Sequence, residues 1–126
     1  MKSILIVDDD RDLREVMKTV LAKHYSVREA GSAKEAWAAL AKFSPDLVLL
    51  DVMMESISAG FTLAREIRNE KKHGNVKILM ITNVDREMNI DFKAEAGEKT
   101  WLPVDDYIVK PVDPRDLLAK VQKLLL

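Results

Sequence analysis

The feature that most constrains the fold of this chain is an alternation, from end to end, of short apolar runs with segments of helical period. The runs at residues 4–7, 46–50, 76–81 and 107–109 predict strands, and residues 25–30 form a weaker candidate. Strands that are apolar throughout are buried on both faces, which is typical of parallel sheets between layers of helices. With right-handed crossovers, the pattern predicts an α/β fold: a doubly wound five-stranded parallel sheet with helices on both faces.

Polar residues mark the starts of three predicted helices. We interpret Asp10 as the N-cap of the first helix rather than as a metal ligand, and Ser32 with Glu35 as a capping box. Asp113 is a predicted N-cap followed by Pro114. About five helices are expected, one of them at about residues 61–69. The apolar stripes that should pack on the sheet are Leu13, Val16, Met17, Val20 and Leu21 in the first helix, Ala36, Trp37, Leu40 and Ala41 in the second, and Leu117, Leu118, Val121, Leu124 and Leu125 in the last.

Composition limits the classes of protein to which the chain can belong. Its 126 residues are near the usual size of one domain. Lys and Arg number 20 against 21 Asp and Glu, with no basic block, so we expect no direct nucleic acid binding. The chain has no cysteine for disulfides or thiolate metal ligands, and no apolar signal segment, which fits a cytoplasmic protein without membrane association.

Five polar residues follow four of the predicted strands. Asp8 and Asp9 follow the first, Asp51 the third, Thr82 the fourth and Lys110 the fifth. Ligands of doubly wound sheets bind beyond the carboxyl ends of the strands, so these side chains should converge if the strands are neighbours. Two carboxylates about 4 Å apart repel by roughly 4 kcal/mol at an effective dielectric near 20. A hard divalent cation such as Mg²⁺, which prefers oxygen ligands, would relieve this repulsion.

Four sequence blocks, ILIVDDD, DLVLLDVMM, ILMIT and DDYIVKP, occur in that order at the ends of predicted strands. In this combination the chain resembles the response-regulator receiver domains of two-component signalling, and the resemblance covers essentially its whole length. It implies the CheY-like form of the flavodoxin-like fold, with strand order 2-1-3-4-5, and a single receiver domain over residues 1–126.

The resemblance also implies roles for the acidic residues. Asp51 would be the phosphoacceptor, taking a phosphoryl group from a phosphohistidine or a small acyl phosphate. Asp9 and Asp51 would ligate Mg²⁺ directly, Asp8 would act mainly through a metal-bound water, and the backbone carbonyl of Met53 would supply a further ligand. No other cofactor is implied. The domain would catalyse only its own phosphorylation and dephosphorylation and is therefore not expected to be an enzyme that acts on other molecules.

Three further residues take roles by the same resemblance. The Lys110 ammonium and the Thr82 hydroxyl would each hold an oxygen of the transferred group, because phosphoryl transfer depends on positioning and charge neutralisation. A cis bond between Lys110 and Pro111 would aim the lysine into the site. Tyr107 fits the switch aromatic, which would follow Thr82 when the face made by the fourth helix, fifth strand and fifth helix changes.

The expected partners are a histidine kinase or phosphotransfer protein and a downstream output protein or domain, and phosphorylation could also drive dimerisation. The last predicted helix finishes where the chain ends, which suits a stand-alone receiver or a domain of a longer protein. Two other functions stay open: a Mg²⁺-dependent aspartyl-phosphate hydrolase, and a protein-binding module that works without phosphorylation.

The chain departs from the family pattern at three places. The segment ESISAG after DVMM is one residue longer than usual and lacks proline, and Asn83 replaces a very small residue. Thr82 and Lys110 are 28 positions apart, about six more than in the family pattern. The extra residues lie around Trp101 and Pro103, and we expect a loop there that is pinned by the Trp101 indole.

Overall fold

The computed structural model describes most of the chain, with the backbone alone given for residues 57–61; the described residues are 1–51, 57–70, 72, 74–82 and 104–126. The predictions for Met53, for Asn83 and for the inserted loop around Trp101 therefore lie outside the described residues. A fourth helix, implied by the resemblance to lie before the fifth strand, also falls outside them.

Five parallel strands form one sheet in the order β2-β1-β3-β4-β5, which confirms the predicted fold class. Each predicted strand is present, with ends that differ by one residue at most. Strands β1, β3 and β4 are largely buried, whereas the two edge strands are not: β2 exposes three of its five residues, and β5 buries only Ile108. The strands are β1 Ser3–Val7, β2 Ser26–Ala30, β3 Leu47–Asp51, β4 Lys77–Thr82 and β5 Asp106–Val109.

Helices cover both faces of the sheet. The described helices are α1 Arg11–Leu21, α2 Ala33–Leu40, α3 Ile57–Asn69 and α4 Pro114–Leu124. Side chains of α1 and α4 pack on one face, in a cluster that includes Met17, Leu21, Leu117 and Val121. Side chains of α2 and α3 pack on the other face, in a cluster that includes Ala36, Leu40, Leu63 and Ile67.

The predicted helix starts are confirmed at all three caps. Asp10 accepts hydrogen bonds from the N–H groups of Asp12 and Leu13, and the Asp113 side chain accepts one from the helix that begins at Pro114. At α2, Ser32 accepts from the N–H of Glu35, whose own carboxylate accepts from the N–H of Gly31 rather than from that of Ser32. Each cap satisfies backbone donors that the helix itself leaves unpaired.

Three details of the helix predictions were wrong. Ala41 was assigned to the apolar stripe of α2 but is exposed, because the helix ends at Leu40 and Ala41 is its C-cap. Helix α3 begins at Ile57 and not near Phe61, so residues 57–60 of the segment ESISAG are helical. Val16 was assigned to the buried stripe of α1 but is 50% exposed, because it lies on the outer edge of the apolar arc, whereas its neighbour Met17 is 1% exposed. The expected packing of Trp37 is confirmed, since its partly buried ring lies against the α2 and α3 cluster.

A search for membrane-spanning helices over the described ranges found none that combines the required length with the required hydropathy.

Val16 and Met17 make a matched test of this packing. We expect Met17→Ala to lower the free energy of unfolding by about 2–5 kcal/mol, because it leaves a cavity between α1 and the sheet. Val16→Ala should change it by less than about 0.5 kcal/mol, because the side chain is already half in water. Urea denaturation of both variants measures the difference. Equal losses in the two variants would contradict the assignment of the buried face.

Candidate functional site

The carboxyl ends of β1 and β3 bring the first acidic residues together. The two strands pair directly, with Val7 opposite Leu50, so the next residue of each strand, Asp8 or Asp51, lies at the same edge of the sheet. One carboxylate oxygen from each of Asp8, Asp9 and Asp51 lies within 4.8 Å of the others. The structure therefore brings these three side chains together, as the sequence predicted.

Asp8 is the most deeply buried acid of the site, with no exposed surface. Its N–H donates to the carbonyl of Ala30 at 3.0 Å, and its Oδ1 accepts from the N–H of Asp10 at 2.9 Å. Its second oxygen, Oδ2, is buried and has no hydrogen-bond partner among the described residues. A buried carboxylate oxygen without a partner is costly, so it needs either a proton or a cation.

The electrostatics of the site act most strongly on Asp8. Burial raises the pKa of its carboxyl from 3.8 to about 7. The hydrogen bond from the Asp10 N–H opposes this rise, the negative charge of Asp51 adds to it, and the Lys110 ammonium opposes it. Without a bound cation, Asp8 therefore changes between its protonated and charged forms near neutral pH.

Lys110 faces the acids from the other side of the site. Its Nζ donates to Asp51 Oδ2 at 3.1 Å, and the Asp51 side chain is only 2% exposed. The Lys110 N–H donates to the carbonyl of Thr82 at 2.8 Å, so the fully buried Thr82 and the lysine occupy adjacent strand ends. The peptide bond between Lys110 and Pro111 is cis, as the resemblance implied.

Tyr107 lies further along β5 and is half-buried against the α2 and α3 cluster. The ammonium of Lys120 on α4 lies 5.6 Å from the centre of its ring. The same ammonium donates to the Tyr107 carbonyl at 2.8 Å and lies 3.6 Å from Asp106 Oδ1. These contacts connect the ring and backbone of Tyr107 to α4.

Arg14 also contacts the site, although it was not among the predicted site residues. The Nη1 of this α1 residue donates to the carbonyl oxygen of Asp8 at 2.5 Å, and its Nε pairs with Glu29 at 3.3 Å. Arg14 lies between apolar positions of an amphipathic helix, where a basic side chain usually points into the solvent. Its position in the sequence therefore did not indicate a contact with the site.

The described acidic residues fit an oxygen-preferring divalent cation. Three carboxylates converge, one of their oxygens is buried without a partner, and the group found among the described residues consists of carboxylates alone, which suits Mg²⁺ better than a softer metal. The carbonyl of Met53, the fourth ligand implied by the resemblance, lies outside the described residues.

The family model for the response regulator receiver domain matches residues 4–122. The chain belongs to this family. Among curated relatives of this receiver domain, the phosphate regulon transcriptional regulatory protein PhoB of Pseudomonas aeruginosa is 36% identical over 125 residues, which are 98% of this chain and 52% of PhoB. The transcriptional regulatory protein ResD of Bacillus subtilis is 37% identical over 123 residues, 97% of this chain and 47% of ResD. This receiver domain thus spans about half the length of the curated relatives it matches.

Solved structures agree with the family assignment. The receiver domain superposes on the chemotaxis response regulator CheY4 of Vibrio cholerae with a TM-score of 0.83, at 26% identity and 98% coverage of both chains. It superposes on a putative response regulator from Chloroflexus aurantiacus with a TM-score of 0.81, at 33% identity, covering 98% of this chain and 97% of the other. The CheY-like fold is confirmed.

The raised pKa of Asp8 makes the stability of the metal-free domain depend on pH. Because the native pKa, about 7, lies above the ordinary value of 3.8, the native state binds this proton more tightly than the unfolded state does. The stabilisation that this bound proton gives the native state is fully present below pH 3.8, the ordinary pKa, and is lost as the pH rises through about 7, the native pKa. In EDTA, we expect the free energy of unfolding of the wild type to fall relative to that of Asp8→Asn across this interval, by up to roughly 4 kcal/mol.

Urea denaturation of both proteins at a series of pH values tests this expectation. Asp46→Asn, which changes a carboxylate at the opposite end of the sheet, is the matched control: it keeps Asp8, so its free energy of unfolding should fall relative to that of Asp8→Asn just as the wild type's does. A difference between wild type and Asp8→Asn that stays constant with pH would contradict the assignment.

Proposed function

We propose that this receiver domain accepts a phosphoryl group on Asp51 from a histidine kinase or a phosphotransfer protein, in the presence of Mg²⁺. One observation carries the proposal: the nearly buried Asp51 carboxylate belongs to a group with the Asp8 and Asp9 carboxylates and also pairs with the Lys110 ammonium, at 3.1 Å from Nζ. Such an arrangement can neutralise a phosphoryl group on two sides while it is transferred to the carboxylate.

In the proposed reaction, a carboxylate oxygen of Asp51 attacks the phosphorus of a phosphohistidine or an acyl phosphate. A P–O bond to Asp51 forms, and the bond from phosphorus to the donor nitrogen or oxygen breaks. The donor leaves with that electron pair. Attack of water on the phosphorus of the aspartyl phosphate later restores the carboxylate and releases inorganic phosphate. The domain therefore changes only its own phosphorylation state.

Each described residue has a distinct role in this scheme. Mg²⁺, when bound, supplies a positive charge against an oxygen of the phosphoryl group. Asp9 and Asp51 would bind it directly, Asp8 through a water molecule, and Met53 through its carbonyl. The Lys110 ammonium would hold a second phosphoryl oxygen and the Thr82 hydroxyl a third. Lys110 already pairs with Asp51, so the lysine would exchange one oxygen partner for another during the reaction.

The signal would pass from Asp51 to the face formed by β5 and α4, through Thr82 and Tyr107. Thr82 would move toward the phosphoryl group, and the half-buried ring of Tyr107 would follow it inward. This change is a shift between two packings, driven only by the difference in contacts that the phosphoryl group makes with them.

We further propose that residues 1–126 form one receiver domain in a cytoplasmic protein. A downstream protein or domain would carry the output, and phosphorylation could also drive dimerisation. Because the named relatives are transcriptional regulators, control of transcription through such an output is the first case to examine. The family match favours neither a hydrolase of external aspartyl phosphates nor a module that works without phosphorylation.

Acetyl phosphate and Mg²⁺ should add one phosphoryl group to the wild-type chain, as measured by intact mass. Asp51→Asn should abolish the addition because it removes the nucleophile, and EDTA should prevent it. Asp46→Asn is the matched control, because it changes an acid just before the other end of the same strand, and it should label as the wild type does. Unchanged mass in the wild type would contradict the proposal, and so would full labelling of Asp51→Asn.

The switch can be observed at Tyr107 alone in a Tyr25→Phe background that carries 3-fluorotyrosine. We expect the single ¹⁹F signal to shift when beryllofluoride, a phosphoryl mimic, binds with Mg²⁺, because the ring leaves its contact with Lys120. Thr82→Ala should reduce the shift and Asp51→Asn should abolish it. A fixed ¹⁹F signal, with beryllofluoride binding confirmed separately, would exclude Tyr107 from the switch.

A further inference from the structure

Arg14 contacts the functional site from behind, through the backbone of Asp8. Its guanidinium lies between α1, the end of β2 and the turn that leads into α2, and its side chain is only 17% exposed. The Nη1 donates to the Asp8 carbonyl oxygen while the Nε donates to Glu29. A guanidinium can make both bonds at once because its donors form a rigid fork.

The hydrogen bond from Arg14 completes the restraint on Asp8. The Asp8 N–H is already bound to the carbonyl of Ala30, and its Oδ1 to the N–H of Asp10. With its carbonyl bound to Arg14, the backbone N–H, the backbone carbonyl and Oδ1 of Asp8 are all held, while Oδ2 is buried without a hydrogen-bond partner among the described residues. The end of β1 is therefore fixed at an acid that also belongs to the group of three carboxylates.

The charge of Arg14 is compensated in part. Glu29 accepts from Arg14 Nε and also from Lys18 Nζ, each at 3.3 Å, so one carboxylate is shared by two cations. Arg14 therefore has two opposite effects on a nearby cation: its hydrogen bond to the Asp8 carbonyl holds the acids in place, and its remaining positive charge repels the metal. The proposal requires the first effect to be the larger.

We propose that Arg14 is a positioning residue for the Mg²⁺ site: through the carbonyl of Asp8 it holds the Asp8 and Asp9 carboxylates in the arrangement that binds the cation. The inference rests on the proposed function, because it concerns the affinity of that site. Residues that orient metal ligands change metal affinity by about 10- to 100-fold when they are replaced.

The sign of the effect separates positioning from simple charge repulsion. If Arg14 orients the acids, Arg14→Met should weaken Mg²⁺ binding about tenfold. If Arg14 instead acted as a nearby cation, its removal would strengthen Mg²⁺ binding. Arg14→Lys keeps one donor for the Asp8 carbonyl and should restore part of the affinity.

Two other variants complete the design. Lys18→Met removes a positive charge that pairs with the same Glu29 but, within the described part of the chain, does not hydrogen-bond to Asp8, so it is the matched control and should leave Mg²⁺ affinity unchanged. Gly31→Ala keeps every charge, but its Cβ would lie 3.1 Å from Arg14 Nη1, so the guanidinium would have to shift by a few tenths of an ångström. It should weaken Mg²⁺ binding less than Arg14→Met does.

The measurement is the Mg²⁺ dissociation constant from ¹H–¹⁵N NMR titration, whose spectra also report whether each variant is folded. Unchanged or tighter binding in Arg14→Met would overturn the inference, and so would equal weakening in Lys18→Met. If Arg14→Met does not fold, Arg14→Lys and Gly31→Ala decide, and wild-type affinity in both would overturn the inference. A wild type that binds no Mg²⁺ is a different result, which would overturn the metal site of the proposed function itself.

Discussion

The structure depends on holding three carboxylates close together where parallel strands end. Like charges at this spacing repel, and burial makes the charged form of Asp8 more costly still, which is why its pKa rises to about 7. The surrounding contacts oppose that repulsion. Lys110 pairs with Asp51, the Asp10 N–H binds Asp8, and the paired strands β1 and β3 fix the separation of the two backbones.

The sheet and its helices hold the carboxyl ends of the strands, where the acids lie, in a fixed arrangement. The largely buried strands β1, β3 and β4 pair with one another in a fixed register, so a polar residue at the end of each strand has little freedom to move away from the others. The helix that follows β1 starts at once with Asp10 as its cap, and this cap also supplies the N–H that binds Asp8. The three consecutive acids therefore have two different roles: Asp10 caps α1, and Asp8 and Asp9 contribute carboxylates to the site.

At the opposite end of the sheet, hydrogen bonds and an ion pair hold the residue that precedes β5, Asp105, in place. Asp105 accepts from the Ile78 N–H at 2.8 Å and pairs with Arg68 at 3.0 Å, and Arg68 also donates to the carbonyls of Gly74 and Val76. These bonds fix the start of β5 against β4 and α3. They determine the register that puts Tyr107 and Lys110 at their positions on β5.

The sequence by itself determined the strands, the caps and the five polar residues at the strand ends, because apolar runs, helix starts and turn residues are local signals. It also determined the family, since four blocks in order are specific. Only the tertiary structure decided that Val16 lies on the exposed side of α1, that α3 starts at Ile57, and that Arg14 donates to the Asp8 carbonyl. The first two features depend on how α1 is rotated about its axis when it packs on the sheet and on where α3 begins. The third is a contact between a side chain and the backbone of a different element. The periodicity of apolar residues does not encode either kind of feature.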